Sequence, residues 1–150
     1  MQRKLPWCIV LCSAFLILVE NSKGVDVVLN RETFEKTPRW NTFAMDEIET
    51  KLKKSKQSYR TFLNIKTMNT GLYYLPKGAV DHQTPHQLDE IYYVISGQGK
   101  MKFGKGEDAE DRPVKKGSVI FVKAGEEHRF HSITEDLRLL VVFSTAKSEK

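Results

Sequence analysis

The run "DHQTPHQLDE" (Asp81 to Glu90) places two histidines, two aspartates and a glutamate within ten residues, and "GEEHRFHSI" (Gly125 to Ile133) carries the chain's other two histidines. Imidazole and carboxylate are the side chains that bind first-row divalent metals, so the question is whether the two segments meet. In an extended strand, residues of one parity share a face. If "TPHQLDEIYYV" is extended, Thr84, His86, Leu88, Glu90, Tyr92 and Val94 lie together, and His86 and Glu90 project side by side. In the second segment His128, Phe130 and Ser132 share a face, while His131 points the other way. His86, Glu90 and His128 would then form a two-histidine, one-carboxylate set, which suits Fe(II), Mn(II) or Zn(II) with open coordination positions. Asp81 and Asp89 read as turn and surface groups.

Such a set needs a rigid wall, and the punctuation of the chain supplies one. From Tyr59 onward, "YRTFLNIKTM", "GLYYLPKG", "DEIYYVIS", "KMKFG", "GSVIFVKAG", "EHRFHSI" and "LRLLVVFS" are short runs rich in β-branched and aromatic residues, cut by Gly, Pro and polar loops. "GQG" (Gly97 to Gly99) reads as a tight turn. About eight short strands with regular turn signals argue for an all-β sandwich or barrel. Ahead of them, "MDEIETKLKKSKQ" carries Ile48 and Leu52 four apart, with acids early and lysines late, which predicts one short helix.

The first residues follow a different logic. "MQRK" is basic, Leu5 to Val19 is an unbroken apolar run, and Ser22 and Gly24 stand where a signal peptidase would cut. The run is shorter than the roughly 20 residues of a membrane span. A cleaved secretory signal over residues 1–24 is therefore expected in preference to an uncleaved signal anchor, with a secreted product and no membrane span after cleavage. Both cysteines, Cys8 and Cys12, lie in that run. The mature chain would hold no disulfide, no catalytic thiol and no cysteine-ligated zinc. The net charge of +5 is moderate. Its lysines sit among acids and apart from aromatics, which speaks against a nucleic-acid partner.

The motifs also resemble the cupin superfamily, and within it the small single-domain cupins. The first cupin motif, G-x5-H-x-H-x3–4-E-x6-G, is matched in every interval by Gly78, Thr84, His86, Glu90 and Gly97. The second, G-x5-P-x-G-x2-H-x3-N, is matched by Gly117, Lys123, Gly125, His128 and Ser132. Two gapped motifs in order make a specific signal, and the resemblance covers roughly Phe62 to Phe143. It implies a jelly-roll barrel (double-stranded β-helix) over residues 59–146, after a lead-in with the helix over 25–58 and before a charged tail, 147–150. It also implies a divalent metal, Fe, Mn or Zn, and a small-molecule ligand or substrate. Where the family has three histidines and a glutamate, Thr84 replaces the first histidine. Three accounts of the fourth position stay open: water held by Thr84, His82 from further back, or Gln83 turned inward at a bulge. Tyr92 and His82 are the candidate proton donors. A dioxygenase-like enzyme and a non-catalytic binding protein are both compatible with these residues, and Ile91, Tyr93 and Ile95, of the outward parity, fit either a homodimer interface or packing between the two sheets.

Overall fold

A computed structural model of the protein describes residues 39–145; the expected signal segment, residues 25–38 of the lead-in, Ala146 and the charged tail lie outside the described residues. Helix α1 (Met45–Ser55) is followed by β1 (Tyr59–Ile65), β2 (Met68–Leu75), β3 (Glu90–Phe103), a 3-10 turn at Gly106–Asp108, β4 (Glu110–Lys115), β5 (Val119–Val122) and β6 (His128–Ser144). The helix forms where its charges suit its dipole, with Asp46 and Glu47 in the first turn and Lys53 and Lys54 in the last. Its Ile48 and Leu52 bury against Leu72 on the outside of the barrel. Glu49 ties the same helix to β6 through Arg138 at 3.0 Å.

The frame is a long antiparallel ribbon of β3 and β6, paired from Glu90 with Phe143 to Phe103 with His128. β2 and β1 extend it on one side, β4 pairs with the far half of β3, and β5 pairs with its near half. Fourteen extended residues span on the order of 45 Å. Yet Glu90 and His128, at opposite ends of this ribbon, touch at 2.8 Å. The ribbon must therefore fold over on itself, and its pairing slips where it does so, between Val94 and Ser96, Ser96 and Gln98, and Gln98 and Lys100. Extra residues of this kind bend a strand and raise its twist. Gly97 sits in the bend at φ +89°, where a Cβ would come 2.1 Å from the Asp136 carbonyl oxygen. No side chain fits there. Between the two halves lie the apolar core residues, among them Tyr92, Val94, Met101, Phe130, Leu137 and Val141. Burying each of the larger ones is worth roughly 1.5–3 kcal/mol.

The all-β class, the jelly roll and the single short helix are as expected. The strand count is not: six strands stand among the described residues where about eight were expected. "GQG" is no turn, because β3 runs through it as a bulged bend. "EHRFHSI" and "LRLLVVFS" are likewise one strand, β6. Residues 84–89 are not extended strand, since β3 starts at Glu90. Ser132 does not share the inner face of His128 and Phe130. It adopts φ +47° and is exposed, and the inward position passes to Ile133. A parity argument carries only as far as the next bulge.

Candidate metal centre

Three elements bring the site together. Glu90 is the first residue of β3, His128 the first of β6, and His86 lies on the loop between β2 and β3. That loop is clamped to the connection between β5 and β6. The Gly125 N–H donates to the His86 carbonyl at 2.7 Å, and the Ala124 N–H donates to Asp89 Oδ1 at 2.8 Å. Asp89 thus acts as the turn group the sequence suggested. Its carbonyl also accepts from the Ser144 N–H at 2.9 Å, which fixes the segment ahead of Glu90.

One ligand atom from each of His86, Glu90 and His128 lies within 4.8 Å of the other two. His128 Nε2 is 2.8 Å from Glu90 Oε1, and His86 Nε2 is 3.8 Å from Glu90 Oε2. The His128 and Glu90 side chains are each only 1% exposed. Glu90 Oε2 is buried and has no hydrogen-bond partner among the described residues. An unsatisfied oxygen of a buried carboxylate is costly unless something positive meets it. His128 Nδ1 lies 2.8 Å from the Glu126 carbonyl oxygen and donates to it, which turns Nε2 toward the carboxylate. In a neutral ring that Nε2 carries a lone pair, and two lone pairs cannot face each other at 2.8 Å without a proton or a cation between them. Burial would lower the His128 pKa. The hydrogen bond and charge of Glu90, with the Glu126 carbonyl and Asp81, outweigh it and hold the imidazolium above its ordinary range. A divalent cation satisfies the same geometry, and the donor set of two imidazoles and a carboxylate fits one.

Tyr92, a candidate proton donor from the sequence, is buried beside this cluster with its hydroxyl 3.1 Å from His128 Nε2. Burial first, then the Glu90 carboxylate, push its pKa well above the usual tyrosine value. Gln83, expected as a possible fourth ligand, spends its amide on other partners: Oε1 accepts from the Tyr92 hydroxyl at 3.0 Å and Nε2 donates to Asp81 at 2.9 Å. His82 is exposed and stands outside the cluster, and Thr84 is exposed as well. Residues 82–89 precede β3 and carry no strand pairing, so the parity argument does not put 82 and 84 on a face with 86 and 90. Asp81 itself corrects the surface reading given to it, being 1% exposed. It accepts the Tyr73 hydroxyl at 2.6 Å, the Gln83 N–H at 3.0 Å, Gln83 Nε2 at 2.9 Å and the Phe130 N–H at 2.8 Å. The only signal in the sequence was an acid five residues before a histidine, which is too common to single out. His131 faces outward as expected and pairs with Asp111 at 3.0 Å.

This fold and this cluster define a cupin, and comparison with known proteins agrees. The family profile described as "Cupin domain" matches residues 71–143, and the chain belongs to that family. An uncharacterized protein of Streptomyces coelicolor is 43% identical over 106 residues, covering 71% of this chain and 97% of that one. Among solved structures, an RmlC-like cupin with a double-stranded β-helix fold from Methanocaldococcus jannaschii superposes with a TM-score of 0.51. Its identity is 18%, with 57% of this chain and 77% of that one covered. Fe(II)-HppE, crystallised with the alternative substrate (S)-1-HPP, matches at a TM-score of 0.50 and 19% identity, over 57% of this chain. The match spans about half of that protein's length, at 48%. Likenesses at these identities speak for the fold.

Proposed function

We propose that the protein is a secreted cupin that holds a divalent metal, Fe, Mn or Zn, through His86, Glu90 and His128 and acts on a small oxygen-bearing substrate. The observation that carries this reading is the buried Glu90 carboxylate, one oxygen against His128 and the other without a hydrogen-bond partner among the described residues, with a second imidazole beside it. The Fe(II) named for a solved cupin of the same fold is consistent with it. A metal bound there would supply Lewis acidity, and if it were iron, activation of O2. The chain's own groups do the rest. Glu90 offsets part of the cation's charge, and the Glu126 carbonyl keeps the His128 ring oriented. The buried Tyr92 hydroxyl keeps its proton at neutral pH, donates it to Gln83, and presents its oxygen to the site 3.1 Å from His128 Nε2. The signal-like residues 1–24 support export. Ile95 packs partly buried against the helix cluster and does not belong to an outer patch, but Ile91 and Tyr93 are exposed beside Val119 and Phe121 and support a homodimer, which light scattering would measure.

The test is metal content. The mature protein should carry close to one equivalent of a divalent metal by elemental analysis, and the His86→Ala/His128→Ala variant should carry almost none. Equal content in both sinks the reading. One observation favours a second reading, a non-catalytic binding cupin: the family's first histidine is replaced by Thr84, which is exposed. A ligand-induced rise in Tm that survives a chelator would support that alternative.

A further inference from the structure

We infer that Asp81 and Gln83 form a positioning pair that holds the Tyr92 hydroxyl proton away from His128 and Glu90, so that the lone pairs of those two side chains stay available to a divalent cation. The inference rests on the metal-binding reading above and concerns residues that reading does not use.

The chain of constraints starts at Asp81. Its two oxygens receive four donors, two each, which fills the lone-pair positions a carboxylate offers. One of these donors is the Gln83 amide nitrogen, at 2.9 Å from Oδ2. Because a carboxylate so occupied can only accept, the NH2 end of the amide must face Asp81. The carbonyl end is then forced toward Tyr92, where Oε1 lies 3.0 Å from the hydroxyl. The Gln83 N–H, donating to Asp81 Oδ1 at 3.0 Å, fixes the backbone of the same residue, so the amide has little freedom to flip.

Tyr92 has one proton and a choice of acceptors. Besides Gln83 Oε1, the His128 Nε2 lies 3.1 Å away and becomes an acceptor once its proton leaves, as metal binding requires, and the Glu90 carboxylate acts on the same hydroxyl. Both alternatives are the groups a metal would occupy. When a cation takes the Nε2 lone pair and the carboxylate oxygens, a phenol proton aimed at either would lose its partner in a buried place, which is unfavourable. Gln83 removes that conflict by accepting the proton whether or not the metal is bound. It also leaves the lone pairs of the Tyr92 oxygen facing the cluster. Gln83 is thus a positioning residue acting through Tyr92, and Asp81 is one acting through Gln83.

The experiment is a double-mutant cycle on Zn(II) affinity, read by competition with a chromophoric chelator, in the wild type, Gln83→Leu, Tyr92→Phe and Gln83→Leu/Tyr92→Phe. Gln83→Met serves as a second, unbranched replacement, and circular dichroism checks that each variant is folded. Loss of Gln83 should weaken Zn(II) binding about 10- to 100-fold, the range found when groups that orient metal ligands are removed. Adding Tyr92→Phe should bring the affinity back to that of Tyr92→Phe alone, because the stray proton is gone. A merely structural role for Gln83, such as holding the loop that carries His86, would leave the double variant as weak as the single one, and that outcome overturns the inference. So does a Gln83 variant that binds Zn(II) as well as wild type. The His86→Ala/His128→Ala variant runs alongside. If it binds Zn(II) as tightly as wild type, or if wild type binds none, the metal-binding reading fails and the inference with it. A failure confined to the Gln83 variants leaves the reading standing.

Discussion

Strand β6 carries two histidine–carboxylate pairs three residues apart. His128 meets Glu90 at 2.8 Å inside the barrel, and His131 meets Asp111 at 3.0 Å outside it. The bond lengths are nearly the same, but the surroundings are not. The inner pair is 1% exposed on both sides, whereas His131 and Asp111 are 32% and 41% exposed. Outside, water competes for every hydrogen bond and screens the charges, so such a pair contributes about 0–1 kcal/mol. Inside, each partner depends on the other, and Glu90 Oε2 has no hydrogen-bond partner among the described residues, with the His86 ring 3.8 Å away. A protein accepts that arrangement where a positive ion completes it. Pair geometry alone would nominate both histidines, and burial distinguishes them.

Breaking the inner pair is the strongest way to test the contrast. His128→Ala strands Glu90 in the barrel without its partner and should cost about 3–5 kcal/mol of unfolding free energy, measured by denaturant titration of the metal-free protein. A loss below about 1 kcal/mol would mean the inner pair is no different from the outer one. Removing the support behind it should cost somewhat less. Asp81→Ala leaves Tyr73 and the Phe130 N–H without their buried acceptor, a penalty of about 1–3 kcal/mol for each buried group left unsatisfied. The same titration measures it, and a neutral result would show that Asp81 is no hub.

Much of this was legible beforehand, for a physical reason. His86, Glu90 and His128 sit at strand starts or in a clamped loop, and their spacing along the chain is a property of turns whose glycines and polar residues are visible in the sequence. The barrel class was legible because buried strands need β-branched and aromatic residues in bulk. The bend of the β3–β6 ribbon was not. Gly97 and Gly99 read as a turn because glycine serves both a turn and a bulge, and only the partner strand decides between them. The same slip misplaced Ser132, and His82 was misjudged because its segment is no strand at all. Asp81 was unreadable for another reason: its four donors come from Tyr73, Gln83 and Phe130, and only Gln83 is near it in sequence.

Acidity sharpens the contrast between the two pairs. The folded-state pKa of His128 is raised, so without metal its imidazolium–Glu90 pair stabilises the fold fully below the unfolded histidine value of about 6.5. That contribution is lost as pH rises through the raised folded value. Metal binding runs the other way, since the cation must displace the same proton and its affinity should climb as pH rises over that interval. Unfolding titrations and Zn(II) affinities across pH 5–8 should therefore slope in opposite directions in the wild type, and His128→Ala should flatten the first.

The smallest expected effect belongs to the outer pair. His131→Ala removes a hydrogen bond to Asp111 and one with the Ser132 hydroxyl at 3.1 Å, both at the surface, where the loss should stay within about 1 kcal/mol. Metal content and Zn(II) affinity should match wild type. Ser132 at φ +47° is the one route by which the change could reach inward, because it marks the bulge that swaps the inward position from even to odd residues along β6. If His131→Ala lowered metal content, the outer pair would be holding that bulge in place, and with it the inward aim of His128. The division between a structural surface pair and a functional buried one would then have to be redrawn along the strand.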